Sequence, residues 1–165
     1  MTFRVVPITE EHIPGFREAV DVVSRERKYL AFLEAPPLDD VRRFVLNNIQ
    51  RGFPQFVALS GETVVGWCDV LPNQTRIIYA HCGTLGIGLL PEFRGRRLGR
   101  ELMQRTIDAA FDYGMTRVEL TVREHNVNAI SLYKSLGFEV EGLHRNAVLI
   151  ERHYENLYSM ALLRV

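Results

Sequence analysis

Cysteine is scarce in this chain: Cys68 and Cys82 are its two thiols, and they form no C-x-x-C pair and flank no second Cys/His cluster at zinc spacing. That argues against a disulfide framework and fits reduced thiols in a cytoplasmic protein. The five histidines make no H-x-x-x-H or His/carboxylate cluster, so no metal is expected. Net charge is also missing, with 20 Lys+Arg against 20 Asp+Glu. A neutral balance argues against nucleic acid or an anionic membrane as partner, since both call for a basic excess. No apolar run approaches the roughly 18 residues of a membrane span. The start, MTFRVVPITEEHIPG, lacks the basic region and long apolar run of a signal peptide. Repeats, low-complexity tracts and linkers are absent as well. With 165 residues, 47% of them hydrophobic, the expectation is one domain over residues 1–165 with a real core.

The chain reads as alternating elements. Phe3–Ile8 is β-branched and apolar, a strand; Thr9, Glu10 and Glu11 then start a helix expected to run to Tyr29 or Leu30, with Pro14 distorting its first turn. After 35-APPLDD-40, Asp39 or Asp40 caps a second helix with Val41, Phe44, Val45 and Ile49 on one face, stopped by Gly52 and Pro54. Gln55–Leu59 and Thr63–Leu71 form a hairpin around Ser60-Gly61-Glu62. A long strand is expected from Ile77 to Leu90, and its glycines, Gly83, Gly86 and Gly88, mark a bulge or a close approach by another group. Leu98–Tyr113 has helical spacing and stops at Gly114; Arg117–Val122 alternates like a strand; Ala129–Leu136 is a short helix; two more strands close the chain. The order is mixed α/β.

One stretch concentrates positive charge. In 90-LPEFRGRRLGRELM-103, Arg94, Arg96, Arg97 and Arg100 crowd around Gly95 and Gly99, just before a helix. A helix start carries unpaired N–H groups and about half a positive charge. Gly95 lets a ligand approach the backbone, and arginine forks match phosphate oxygens. Together these make an anion site suited to a diphosphate; an ordinary solvated surface is the other reading of the charge alone. Neither GxxxxGK[ST] nor GxGxxG occurs in the turn, so an ATP-binding P-loop and a dinucleotide fingerprint are both unsupported.

The run 87-IGLLPEFRGRRLG-99 resembles the R-G-x-G-[LI]-G acetyl-CoA loop of the GNAT superfamily of N-acetyltransferases, with Arg97 where that pattern has its middle glycine. The segment 126-NVNAISLYKSLGF-138 is similar to the family's N-x-x-A-x-x-x-Y-x-x-x-G-F at every position of the pattern. The order of elements fits over nearly the whole chain, and the RVELTV strand and closing pair look like the bacterial branch acting on small amines and amino acids. The resemblance implies an acyl-CoA N-acyltransferase fold: a mostly antiparallel sheet of about seven strands flanked by about four helices.

It also implies a chemistry. Acetyl-CoA would lie in a V-shaped opening between the long strand and RVELTV, its pantetheine on backbone groups of Ile87 and Leu89 and its pyrophosphate on N–H groups from Gly95 through Arg96, Arg97, Leu98 and Gly99 to Arg100, with Arg94 at the loop's entry. An amine would attack the thioester directly. A base must take the amine's proton, the oxyanion needs an N–H donor, which a bulged strand near Gly88 offers, and the thiolate needs a proton donor. Tyr133 matches the family tyrosine facing the sulfur and is the candidate acid; a core aromatic is the plainer reading. Asn126 matches the asparagine by the pantetheine arm, and serves equally well as a helix cap. Glu119 shares a strand face with Thr121 and opposes Val118, Leu120 and Val122, which makes it a candidate base or a salt-bridge partner. His81 is a second candidate, as proton relay or structural histidine, and Asp69 a third. Strand alternation sets His81 and Cys82 on opposite faces, so a histidine-activated cysteine is not expected and Cys82 reads as core.

The acceptor pocket is expected from the first two helices and 24-SRERKYLAFLEAPP-37, with Tyr29, Phe32 and Glu34 as contacts. Relatives pair through the last two strands, so a homodimer is the analogous expectation. The leading function is acetyl-CoA-dependent N-acetylation of a small primary amine, such as an amino acid. Acetylation of a protein N-terminus or lysine, and acyl-CoA sensing without turnover, are the alternatives.

Overall fold

The computed structural model describes residues 2–164; Met1 and Val165, the ends of the expected domain, lie outside it. Seven strands form one sheet: β1 (Phe3–Pro7), β2 (Gln55–Ser60), β3 (Thr63–Pro72), β4 (Cys82–Leu89), β5 (Arg117–Arg123), β6 (Glu139–Ile150) and β7 (His153–Leu163). Their order is β1-β2-β3-β4-β5-β7-β6, and every neighbouring pair is antiparallel except β4 and β5. Four α-helices flank it: α1 (Ile13–Arg25), α2 (Leu38–Arg51), α3 (Leu98–Tyr113) and α4 (Val127–Ser135). No helix of the described residues is long and apolar enough to cross a membrane.

Each face of the sheet has its own core. On one face, Leu98, Leu102, Met103, Ile107 and Ala110 of α3 and Tyr133 of α4 pack on Cys68, Val70, Leu85, Val118, Leu120 and Val122. On the other, Ile13, Phe16, Val20 and Val23 of α1 and Val41 and Val45 of α2 cover Val57, Leu59 and Trp67. Both stripes follow the three- and four-residue spacing that puts side chains on one helix face. Strands β2 and β3 lie under both layers, so they read as buried runs rather than as alternating ones.

Several boundaries differ from the sequence expectation. Helix α1 stops at Arg25 rather than Tyr29, because Arg27 turns into the left-handed region (φ 59°). The α2 cap is Pro37, and Asp39 and Asp40 sit inside the first turn, where carboxylates meet the positive helix end. Phe44 and Ile49 flank the α2 stripe and are exposed; the third buried residue is Asn48. The long strand begins at Cys82, not Ile77. Strand β3 ends at Pro72, opposite Gly83, so residues before Cys82 have no strand to pair with. Ile77–Tyr79 forms one 3-10 turn instead, leaving Ile77 87% exposed.

Strand β4 also carries no bulge against β3, since their register runs unbroken from Gly66↔Leu89 to Pro72↔Gly83. Its glycines answer to close approach. A Cβ on Gly88 would fall on the Trp67 ring, and one on Gly83 would fall on Met115 and Val70.

Candidate active site

The single parallel pairing opens the site. Strands β4 and β5 match Cys82↔Arg117, Gly83↔Val118 and Thr84↔Glu119, and then part. In the antiparallel β3–β4 ladder, alternate residues point their polar groups away from the partner. Leu90 N donates to Val65 O at 2.9 Å and Asn73 N to Cys82 O at 2.8 Å, so the even-numbered residues of β4 bond β3. Ile87 and Leu89 therefore turn N–H and C=O toward β5, at a level where β5 no longer pairs. The Leu89 carbonyl accepts from Arg94 Nε at 3.1 Å, whereas Ile87 keeps both groups open to the gap.

The Gly95–Arg100 loop follows β4 and leads into α3. Gly95 (φ 75°) and Arg97 (φ 63°, ψ 6°) both adopt left-handed backbone, and α3 starts at Leu98 with no side chain capping it. The first bond of the helix is Glu101 N to Arg97 O, and none of the N–H groups from Gly95 to Arg100 has a backbone acceptor among the described residues. Six neighbouring donors thus face outward at a helix N-terminus. Arg97 holds the angle that glycine adopts freely. Arg97→Gly is therefore expected to raise stability by up to about 1 kcal/mol, read as a higher Tm, with the loop's shape retained.

The four arginines divide. Arg94 does not reach into the loop: it grips Glu26 through two bonds, 2.9 and 2.6 Å, and lies 4.9 Å over the Tyr29 ring. Arg96 stacks on Phe93 at 5.9 Å, Arg100 donates to Ser135 of α4, and Arg97 is exposed. Gly99 is buried against Leu89 and Leu132, which closes α3 onto β4 and α4.

Tyr133 comes off α4 into the same core, 7% exposed and 6.0 Å from the Phe138 ring. Its hydroxyl has no protein hydrogen-bond partner among the described residues. Burial pushes its pKa up, so it stays a donor. Asn126 caps α4, its side-chain oxygen accepting from Ala129 N at 3.3 Å. That leaves its NH₂ free for a second role.

The opposite face of the opening belongs to α1 and α2. Glu119 and Thr121 turn outward there while Val118, Leu120 and Val122 are buried, as alternation requires. The Glu119 carboxylate is already engaged with Arg117 Nε at 2.8 Å, and Arg117 forks onto Glu141 at 3.1 and 2.6 Å. His81 lies in the turn before β4 and not in the strand. Alternation does not govern it, and its Nε2 comes within 3.5 Å of Cys82 Sγ. The contact does not activate the thiol: burial, with Glu119 nearby, raises the Cys82 pKa. Both residues line a recess of ≈ 460 Å³ with Asn73, Tyr79, Arg117 and Glu119.

The 26–37 connection spans this face. Tyr29 is stacked under Arg94, Phe32 is 53% exposed, and Glu34 pairs with Arg25 at 3.3 Å. The residue that fixes the connection is one the sequence did not single out. Arg123, at the end of β5 and buried, donates to Arg27 O and Leu30 O, both at 2.8 Å, and to Glu155 Oε2 at 3.1 Å. Its place one residue past RVELTV, on the outward parity of Glu119, was the available signal; its burial was not visible.

A mixed sheet split at its one parallel pair, followed by a helix start that no side chain caps, is the frame of the site among the described residues. Comparison with known proteins makes it specific. The sequence pattern described as "Acetyltransferase (GNAT) family" matches residues 20–138, and the chain belongs to that family of N-acetyltransferases. It is 34% identical over 88 residues to a [ribosomal protein bS18]-alanine N-acetyltransferase of Salmonella typhimurium, covering 53% of this chain and 60% of that protein. It is 32% identical over 111 residues to an L-amino acid N-acetyltransferase of Escherichia coli, covering 67% of this chain and 68% of that one. Among solved structures, a phosphinothricin acetyltransferase from Sinorhizobium meliloti in complex with acetyl-CoA superposes with TM-score 0.91 at 19% identity, covering 99% of this chain and 89% of that one. A Salmonella typhimurium protein solved with acetyl-CoA as its cofactor superposes with TM-score 0.92 at 18% identity, over 99% and 94%. These last two similarities establish the fold.

Proposed function

We propose that the chain transfers an acetyl group from acetyl-CoA to the primary amine of a small molecule, an amino acid or a compound like one. The observation that carries the acetyl-CoA part is the open backbone edge of Ile87 directly below six outward N–H donors at the start of α3. A strand edge suits the amide groups of a pantetheine arm, and the helix start suits a diphosphate. The small-amine part rests on the 26–37 connection, which Arg123 ties to β5, and on the amino-acid acetylating relative.

The chain's groups then have defined tasks. Ile87 orients the arm, and the Gly95–Arg100 donors hold the charged end. The neutral amine attacks the thioester carbonyl, a C–N bond forms, and the C–S bond breaks. Tyr133 gives the leaving sulfur its proton.

The test is thiol release from acetyl-CoA by purified protein across amino acids, phosphinothricin-like analogues, polyamines, aminoglycosides and short peptides. Release with the amino acids is the expected result; release with the peptides alone would replace this reading by a protein N-terminal acetyltransferase, which the bS18-alanine relative favours. The anion loop has its own check in calorimetry. Gly95→Glu places a carboxylate and a side chain at φ 75° in the donor array, and acetyl-CoA affinity is expected to fall at least tenfold, about 1.4 kcal/mol.

A further inference from the structure

We propose that Asp69 is the group that receives the acceptor amine's proton, through an aperture left by Gly86. The inference rests on the small-amine reading and assigns it a base.

The geometry singles out Asp69 among the carboxylates of the acceptor face. Its partner across the sheet is Gly86, in the stretch of β4 just past the last β4–β5 pair. Leu85, Ile87 and Leu89 pack toward α3, so Thr84, Gly86 and Gly88 face α1 and α2. Gly88 is covered by the Trp67 ring. Above Gly86 the nearest atom to a notional Cβ is Asp69 Oδ1, at 3.4 Å. Any side chain at residue 86 would stand between that oxygen and the opening; glycine leaves the path clear. Asp69 is 9% exposed. Its Oδ2 accepts from Gln55 Nε2 at 3.3 Å, and Gln55 Oε1 accepts from Asn48 Nδ2 at 3.1 Å. Its Oδ1 has no hydrogen-bond partner among the described residues. One oxygen is held by a buried amide chain from α2 and β2, and the other lies beside Gly86, just past the point where β4 and β5 part.

The groups packed around Asp69 are Gln55 on β2, Asn48 behind it on α2, Gly86 on β4 and Cys68 beside it on β3. None is charged at neutral pH, the Cys68 thiol being pushed up by its own burial. Over the α1 side lies an apolar pair, Phe16 against Trp67 at 5.8 Å. The carboxylate is thus desolvated without a cation, and its pKa is pushed up to about 7, with the Gln55 bond opposing. Glu119 is the contrast: it is half-exposed and held by Arg117 at 2.8 Å.

Protons balance as follows. An ammonium acceptor gives one proton to Asp69, which returns it to solvent after turnover. The nitrogen lone pair forms the C–N bond, the C–S bond breaks, and the thiolate takes a proton from Tyr133. Tyr133 is in turn reprotonated by the second proton lost from nitrogen. The net release is one proton per acetyl group.

The test is kcat/KM against pH for wild type, Asp69→Asn and Gly86→Ala, using the amine found in the panel. Wild type is expected to lose rate tenfold per pH unit below about pH 7 and to be flat above it up to the pH at which the acceptor's own ammonium titrates. Asp69→Asn should lose at least a hundredfold at pH 7 and show no break there, with acetyl-CoA affinity retained. It should also gain in Tm relative to wild type at pH 8. A carboxyl raised in the fold contributes stability that is present below the unfolded value of 3.8 and lost as pH rises through about 7. A merely structural aspartate would not lose rate while gaining Tm. Gly86→Ala keeps the carboxylate and blocks the aperture, with an expected loss of at least tenfold in kcat. Asp69→Asn matching wild type at every pH, or Gly86→Ala with unchanged kcat, would sink the assignment while leaving the transferase standing. A wild type silent on every amine would strike the acceptor reading, and this assignment with it.

Discussion

Arg123→Ala is expected to cost about 3–5 kcal/mol of folding stability. The guanidinium side chain is 4% exposed and holds three acceptors from two parts of the fold: Arg27 O and Leu30 O of the 26–37 connection, and Glu155 Oε2 of β7. Truncation leaves two part-buried carbonyls without this partner and a carboxylate whose remaining partner is His125 Nε2, at 3.1 Å. Arg123→Lys is expected to recover less than half of the loss, because one ammonium cannot reproduce a planar fork aimed at separated oxygens. Urea denaturation measures both. The functional readout is more specific. Arg123 ties the 26–37 connection to β5 and touches nothing of the Gly95–Arg100 loop. The acceptor KM should rise at least tenfold while acetyl-CoA affinity stays within twofold. Equal losses in both would mean that the connection does not form the acceptor site. The second tie, Arg94 to Glu26, has side chains 32% and 22% exposed, so its rupture is expected to cost nearer 1 kcal/mol.

What the sequence made legible follows from how local each signal is. The α3 bounds, Leu98–Tyr113, and the Gly114 stop come from an apolar period and a left-handed terminus, both readable within a few residues. The outward parity of Glu119 and Thr121 is equally local. The errors share a different cause. Ile77 and Ile78 have strand propensity, yet β3 offers them no partner, and pairing is a property of two segments. His81 was assigned a strand face that it does not occupy for the same reason, and its 3.5 Å approach to Cys82 followed. Helix α1 lost its last turn to the left-handed Arg27, whose carbonyl Arg123 holds from 96 residues away. On the sequence alone Asp69 ranks third among the candidate bases, after Glu119 and His81. Its weight comes from Gly86 opposite and from the Asn48–Gln55 chain behind, three elements that meet only after folding. The Gly95–Arg100 loop, proposed to hold the diphosphate, is one continuous stretch of sequence; the proposed acceptor side is assembled across the sheet from segments that meet only in the fold.

Tyr133→Phe separates the two ends of the proposed proton path. The substitution removes one oxygen that has no protein partner and keeps the ring packed on Phe138, so stability is expected to change by less than about 0.5 kcal/mol. Acetyl-CoA affinity should be unchanged, while kcat falls about a hundredfold, the usual scale for loss of a general acid. The pH dependence sharpens the point. Burial raises both groups, but from different starting values. The Asp69 carboxyl moves up to about 7, and the Tyr133 hydroxyl moves above its ordinary value of 10 and remains protonated at neutral pH. At and above neutral pH the carboxyl is available to take a proton while the hydroxyl still holds one, which is the condition for accepting a proton from nitrogen and giving one to sulfur in a single turnover. Tyr133→Phe should therefore lower the plateau of the rate profile without moving its break near pH 7, and Asp69→Asn should remove the break. A Phe variant with wild-type kcat would leave the leaving thiolate without an acid from α4 and would return Tyr133 to the core.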